Sequence, residues 1–187
     1  MNKHFCFKTS FKASLIVAAM LALPMAQAAS MDKAQYKTAK DRISAEYKTE
    51  KAACGSMSGN AKDICIEEAR GKEKVARADL AYGYTGNPGD QTKLLKVKAE
   101  TSYAVAKEKC DDKTGNDKDV CRKEAKALEV RALADAKMGK QIGEAKKDAA
   151  ADKTDANYKV AAEKCDAMTG DAKASCMSAA KAKFGKN

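Results

Sequence analysis

Six cysteines hold most of the chemistry this sequence can offer. They come in three pairs, Cys54 with Cys65, Cys110 with Cys121 and Cys165 with Cys176, and each pair is separated by eleven positions. Cysteines at a fixed spacing suit cross-linking, metal ligation or thiol redox catalysis. Redox centres favour a C-x-x-C arrangement with a depressed thiol pKa, and this chain contains none. A zinc site needs four ligands. With two cysteines per unit and its one histidine, His4, near the start of the chain, such a site would need two units in contact. Disulfides are the simpler reading, and no metal or cofactor is expected.

The elements that position these cysteines form a repeat. Tyr47, Tyr103 and Tyr158 each precede the first cysteine of a pair by seven residues. Between the cysteines lie Ser58-Gly59-Asn60, Thr114-Gly115-Asn116 and Thr169-Gly170-Asp171. The period is 56 residues and then 55, the signature of a repeated supersecondary unit. Each copy reads as helix, turn, helix. Glycine suits the left-handed residue that ends a helix, and Asn or Asp is a preferred N-cap of the next. On that reading Asp63 and Asp119 fall at N3, where negative charge suits the helix dipole.

The pattern predicts helices near 32–57, 61–82, 92–114, 117–138, 144–168 and 172–184. Gly83 to Gly89 reads as a clear linker and Gly139 to Gly143 as a weaker one, where a continuous or kinked helix is an alternative. Ala, Lys, Glu and Arg dominate, the strongest helix formers. Pairs four apart, such as Glu68/Lys72, Glu73/Arg77, Asp119/Lys123 and Asp155/Lys159, support exposed helix faces.

The cysteines of each pair stand equally far from the Gly–Asn or Gly–Asp junction, so in an antiparallel hairpin they face each other. This predicts the bridges Cys54–Cys65, Cys110–Cys121 and Cys165–Cys176. The seam beside them agrees. Tyr103, Ala106 and Cys110 share one helix face, and Cys121, Ala125 and Leu128 share another. Ala106 opposite Ala125 permits the close backbone approach a disulfide needs, and Ala161 mirrors Ala180 in the third copy. In the first, Ala69 is the small residue beside Cys65, and the stem of Lys72 is placed to cover Tyr47. Were each pair on one unbroken helix, its cysteines would stand about 16 Å apart and could not bond. They would then pair with another helix, as in twin-CX9C proteins, but the central Gly–Asn and the odd number of pairs oppose that. Each bridge closes a short loop and removes about 2–3 kcal/mol of unfolded-chain entropy, comparable in sum with the net stability of a small domain.

The start of the chain carries an export pattern. Lys3, Lys8 and Lys12 precede an apolar run from Ala13 to Met25, and Ala26-Gln27-Ala28 follows with small residues where a signal peptidase needs them. As a helix the run is about 20 Å long, short of the ~30 Å of a bilayer core. Residues 1–28 are therefore expected to be a cleaved signal peptide and the protein to be periplasmic, with no transmembrane segment in the mature chain. Cys6 precedes the apolar run, so lipidation is not indicated.

Cleavage would leave 159 residues with 33 basic and 26 acidic side chains, a balance of +7. Only 21 of those 159 are Leu, Ile, Val, Phe or Met, which predicts long, thin helices without a deep pocket. The charges are interleaved, as on a solvated helix surface. The largest excess is +4 over 91–143. There Lys93, Lys96, Lys98, Arg122, Lys123, Lys126 and Arg131 are the candidates for binding an anion; nucleic acid is excluded by export. The acidic run Asp111–Asp119 lacks the glycine position and closing glutamate of a calcium loop. Tyr47, Tyr103 and Tyr158, at fixed spacing from a cysteine, read as inter-helix packing. No histidine base, Gly-rich phosphate loop or other catalytic constellation is present, so the chain reads as a non-enzyme.

The unit Tyr-Lys-x-Ala-x-Glu-Lys-Cys-Asp-x-x-x-Gly-Asn-Ala-Lys-Asp-x-Cys, spread with variations over 47–65, 103–121 and 158–176, resembles small exported Ala/Lys-rich CX10C-repeat proteins of Gram-negative cell envelopes. Some of these carry names like those of the Tol system. The resemblance covers nearly all the chain after residue 28 and implies a periplasmic envelope protein without implying catalysis. The third copy departs most, with Ala174 and Ala179 where the second has Asp119 and Glu124, and reads as a terminal cap.

The expectation is thus an all-α protein of three disulfide-closed antiparallel hairpins, in an extended array or a loose bundle. The units are 29–90 (with its linker), 91–143 and 144–187. Its role would be that of a scaffold, spacer or stress-related envelope protein acting through helix surfaces and touching another envelope protein. The alternative is a binding module for an anionic envelope component such as lipopolysaccharide or a wall polymer, with an enzyme of unknown type a third reading.

Overall fold

A computed structural model of the chain describes residues 31–186; the expected signal segment, 1–28, lies outside them. Five α-helices follow one another: α1 (Lys33–Ala53), α2 (Gly59–Thr85), α3 (Pro88–Lys109), α4 (Gly115–Asp166) and α5 (Gly170–Phe184). Short 3-10 turns, Cys54–Ser56 and Cys110–Asp112, close α1 and α3. There is no strand among the described residues, and no helix among them is long and apolar enough to cross a membrane.

The three bridges are those the spacing predicts. Cys54 bonds Cys65, Cys110 bonds Cys121 and Cys165 bonds Cys176, with Cα separations of 5.7, 5.7 and 5.6 Å. Gly59, Gly115 and Gly170 take positive φ at the three turns, where a side chain would be strained. The expected Asn or Asp caps do not form. Ser58, Thr114 and Thr169 stand at the N-caps without side-chain cap bonds. Asn60 instead donates from Nδ2 to the Glu108 carbonyl, 2.9 Å away on the neighbouring hairpin. With the helices starting at glycine, Asp63 and Asp119 sit beyond the first turn.

Two joints differ from the pattern reading. The linker Gly83–Gly89 shrinks to Gly86 and Asn87. Gly83 stays helical; Gly86, at φ 60°, donates its N–H to the Tyr82 carbonyl and ends α2. The Asn87 side chain then accepts from the Gly89 N–H at 2.7 Å, and Pro88 occupies the first helical position, where its missing N–H is harmless. At the second joint nothing breaks. The separate helices expected at 117–138 and 144–168 are one helix of 52 residues, about 78 Å long at 1.5 Å per residue. Gly139 and Gly143 lack the helix-stopping partners found at Gly86. Each costs a helix only about 1 kcal/mol, and good helix formers flank both.

Substantial helix contacts join chain neighbours: α1 with α2, α2 with α3, α3 with α4, and α4 with α5. The result is an extended array. α1, α2, α3 and the first part of α4 run up and down in one layer, and the rest of α4 continues to a separate hairpin with α5. Small side chains make the seams. Ala69, Gly71 and Ala78 of α2 are buried, as are Thr92, Leu94, Ala99 and Thr101 of α3. A Cβ on Gly71 would stand 3.3 Å from Thr101 Cβ, which shows how near the two backbones come. The threonine hydroxyls are satisfied within α3: Thr92 donates to the Pro88 carbonyl and Thr101 to that of Val97. Among the described residues the largest fully buried side chains are Cys54, Cys110 and Cys165, so the bridges themselves occupy the thin core.

Candidate functional site

The ends of each hairpin differ in how they are held. In the second, the Asp111 carboxylate accepts from Arg122 at 2.6 Å and lies 3.1 Å from Lys118 Nζ. The hydrogen bond from Lys118, then that from Arg122, holds Asp111 below the ordinary carboxylate range. In the third, Asp166 meets Lys173 at 2.9 Å. The first has Gly55 at this position and relies on Asn60 and on Lys109–Glu68, 2.7 Å apart, to tie its tip to its neighbour. Of the helix-face pairs expected from spacing, Glu73–Arg77 forms at 2.8 Å, and Arg77 also donates to Ser44 across to α1. Glu68 and Lys72 turn instead to other helices, Lys72 reaching Glu50 at 3.2 Å. Asp155 pairs with Lys186.

The repeated tyrosines are half-buried at the seams. Tyr158 meets Phe184 edge to face at 6.4 Å, and Lys126 stands over the Tyr103 ring at 4.9 Å. Tyr47 and Lys72 line one narrow groove between α1 and α2, but the cation over the Tyr47 ring is Lys51, 5.9 Å from its centroid, while Lys72 reaches out to Glu50. Leu128 corrects the expected seam: it is 63 % exposed, while its neighbour Glu129 is 8 % exposed. The seam passes from Cys121 and Ala125 in steps of four to Glu129. Glu129 pays for its burial by accepting from Lys126 at 2.6 Å, a bond that raises the Lys126 pKa.

A furrow of about 510 Å³ runs between α3 and α4, its floor made of Ala99, Ala106, Ala125, Ala132 and Ala136. A second, of about 490 Å³, runs between α2 and α3 past Gly71, Val75 and Val105. The first is lined largely by alanine and the second by small and β-branched residues, each with helix-surface charges at its edges. Two carboxylates, Glu129 and Asp135, border the first. They stand six residues apart on one helix, about 9 Å along its axis, and Glu129 is held by Lys126. They do not converge as a general acid–base pair must.

The seven basic residues singled out from sequence are not brought together. Lys93 borders a groove shared by α2 and α3, Lys98 borders the α3–α4 furrow, and Lys96 borders neither. Arg122 and Lys126 are engaged with Asp111 and Glu129. Lys123 and Arg131 are exposed and make no ion pair among the described residues. From Lys93 to the Cys110 end of α3, where Arg122 lies, is about 25 Å. The partner of Arg122 comes from the folded tip, whereas that of Lys126 lies three residues on along the same helix, a spacing the sequence already offers.

No protein-family model, curated protein or solved structure matches this chain.

Proposed function

We propose that the protein is an exported, non-enzymatic spacer of the cell envelope, which holds two binding ends a fixed distance apart. The observation that supports this is α4. Residues 137–153 are exposed at every position, so this stretch is a bare rod. The layer formed by α1, α2, α3 and the first part of α4 lies on one side of it and the α4–α5 hairpin on the other. A helix with no packed face is retained where its length is useful. The tips of the first two hairpins, near Met57 and Lys113, gather at one end of α4, and the third tip, near Met168, stands at the other. Disulfide closure of all three hairpins supports an oxidising compartment, and so the periplasm. The interleaved charges and the dispersal of the basic candidates favour a scaffold over an anion-binding module.

Photo-cross-linking probes in place of the exposed Met57 and Met168 test the reading in intact cells. A spacer captures different partners at its two ends, both recovered in one complex. Capture of the same partner at both positions, or of none at one of them, refutes it.

A further inference from the structure

The bare rod has a patterned surface. At about 100° per residue, Met138, Ile142, Ala145 and Ala149 fall on one stripe of α4, which Ala156 and Val160 continue. Met138 is 53 % exposed and Ile142 48 %. The centre of the stripe lies about 130–170° around the helix from Ala125 and Ala136, which face α3, and from Tyr158 and Cys165, which face α5. A second helix could therefore lie along it without meeting either hairpin.

Spacings of four, three and four residues are those of a coiled-coil seam. The charges beside this seam are sorted by edge. Lys146 and Lys153 flank one side, and Gln141 and Asp148 flank the other. Lys146, Asp148 and Lys153 are exposed and hold no ion pair among the described residues. When two such helices lie antiparallel, like edges meet, so that no lysine of one copy faces an aspartate of the other. When they lie parallel and in register, Asp148 of each copy faces Lys153 of the other, and Gln141 faces Lys146. The edge charges thus complement a second copy in one orientation only.

We propose that two copies of this chain pair in parallel and in register along residues 138–149 of α4. The pairing sets the two α4–α5 hairpins side by side at one end and the two helical layers at the other. Asp152 falls on the seam one step past Ala149 and ends it, because two carboxylates would meet there. The association is therefore short and readily reversible. It is independent of the spacer reading, since a single rod also separates its ends.

Sedimentation velocity of the oxidised protein over a concentration series tests the proposal. The wild type should show a concentration-dependent monomer–dimer equilibrium. Ile142→Asp should abolish it while circular dichroism and the three disulfides stay unchanged, Ile142 having no packed neighbour to lose. Asp152→Leu, which lengthens the seam, should tighten it about tenfold. Asp148→Lys should weaken it, and adding Lys153→Asp in the same chain should restore it. Monomer at all concentrations in both the wild type and Asp152→Leu overturns the proposal. So does association that survives Ile142→Asp, or association that Asp148→Lys strengthens.

Discussion

The second and third hairpins share a cysteine spacing and nearly the same Cα separation, yet their bridges bear unequal shares of the structure. The second is buttressed. Its α3 packs on α2 as well as on α4, its tip is clasped by Lys118 and Arg122 on Asp111, and alanines continue its seam to Ala136. The third stands alone at the end of the rod. Ala180 is the one buried residue of α5, and beyond the bridge it has Tyr158 on Phe184 and two exposed ion pairs. A cross-link contributes by the freedom it removes. That freedom is large where nothing else restrains the two helices and smaller where a neighbouring helix already does.

The largest expected effect follows directly. Replacing Cys165 and Cys176 with serine should release α5, with a local loss of about 2–3 kcal/mol. In hydrogen exchange the amides of 170–184 should lose most of their protection. Replacing Cys110 and Cys121 should leave α3 and α4 protected along the alanine seam. Equal loss in the two variants would break the comparison.

Next, Gly71→Val should act on the layer alone. Its side chain must enter the space held by Thr101, and overpacking of this kind costs about 1–3 kcal/mol. Thermal unfolding of the layer should shift down while exchange in α5 stays the same. A parallel change in α5 would show that rod and layer unfold as one unit.

A smaller effect of opposite sign is expected in the rod. Gly139→Ala and Gly143→Ala meet no atom within 4 Å, and alanine restricts the unfolded chain more than glycine does. Each should stabilise the helix locally by about 0.5–1 kcal/mol, read as slower exchange in 137–153 with the hairpins unaltered. Faster exchange there would mean that the glycines serve a bend.

The smallest effect concerns pH. Asp111 has a lowered pKa in the folded protein, so its contribution is present above the unfolded carboxylate value. It fades as pH falls below about 4 and through the folded value. The tip of the second hairpin should loosen over that range, and Asp111→Asn should remove the dependence. The first tip, which has Gly55 at the position of Asp111 and is followed by the same amide shifts, serves as the reference.

Much of the fold was legible because it rests on local rules. The cysteine pairing followed from equal distances to a Gly–Asn or Gly–Asp junction, and the helices followed from composition. The features that escaped depend on what folding brings together. Gly83 and Gly139 look like breakers in sequence, but a glycine ends a helix only when a left-handed turn and a cap complete the stop, as at Gly86 and Asn87. Leu128 looked like a core residue because it lies seven beyond Cys121. At about 100° per residue Leu128 stands about 60° and 80° from the buried Ala125 and Ala136, whereas Glu129 stands about 40° and 20° from them, so the seam that holds both alanines selects Glu129. The basic candidates are dispersed along the layer, and two of them have partners: Asp111 for Arg122, which only the folded hairpin tip brings near, and Glu129 for Lys126, three residues on along α4.

The uninterrupted course of α4 has a consequence for how this chain can change over time. A loop absorbs an added or lost residue; a bare helix converts it into rotation. One residue inserted between 139 and 149 would turn the third hairpin by about 100° about the rod and move it by about 1.5 Å. Seven or eleven residues would lengthen the rod while restoring nearly the original facing. Length and azimuth are locked together, so related chains that keep both ends functional should differ here in whole turns, as gears differ in whole teeth.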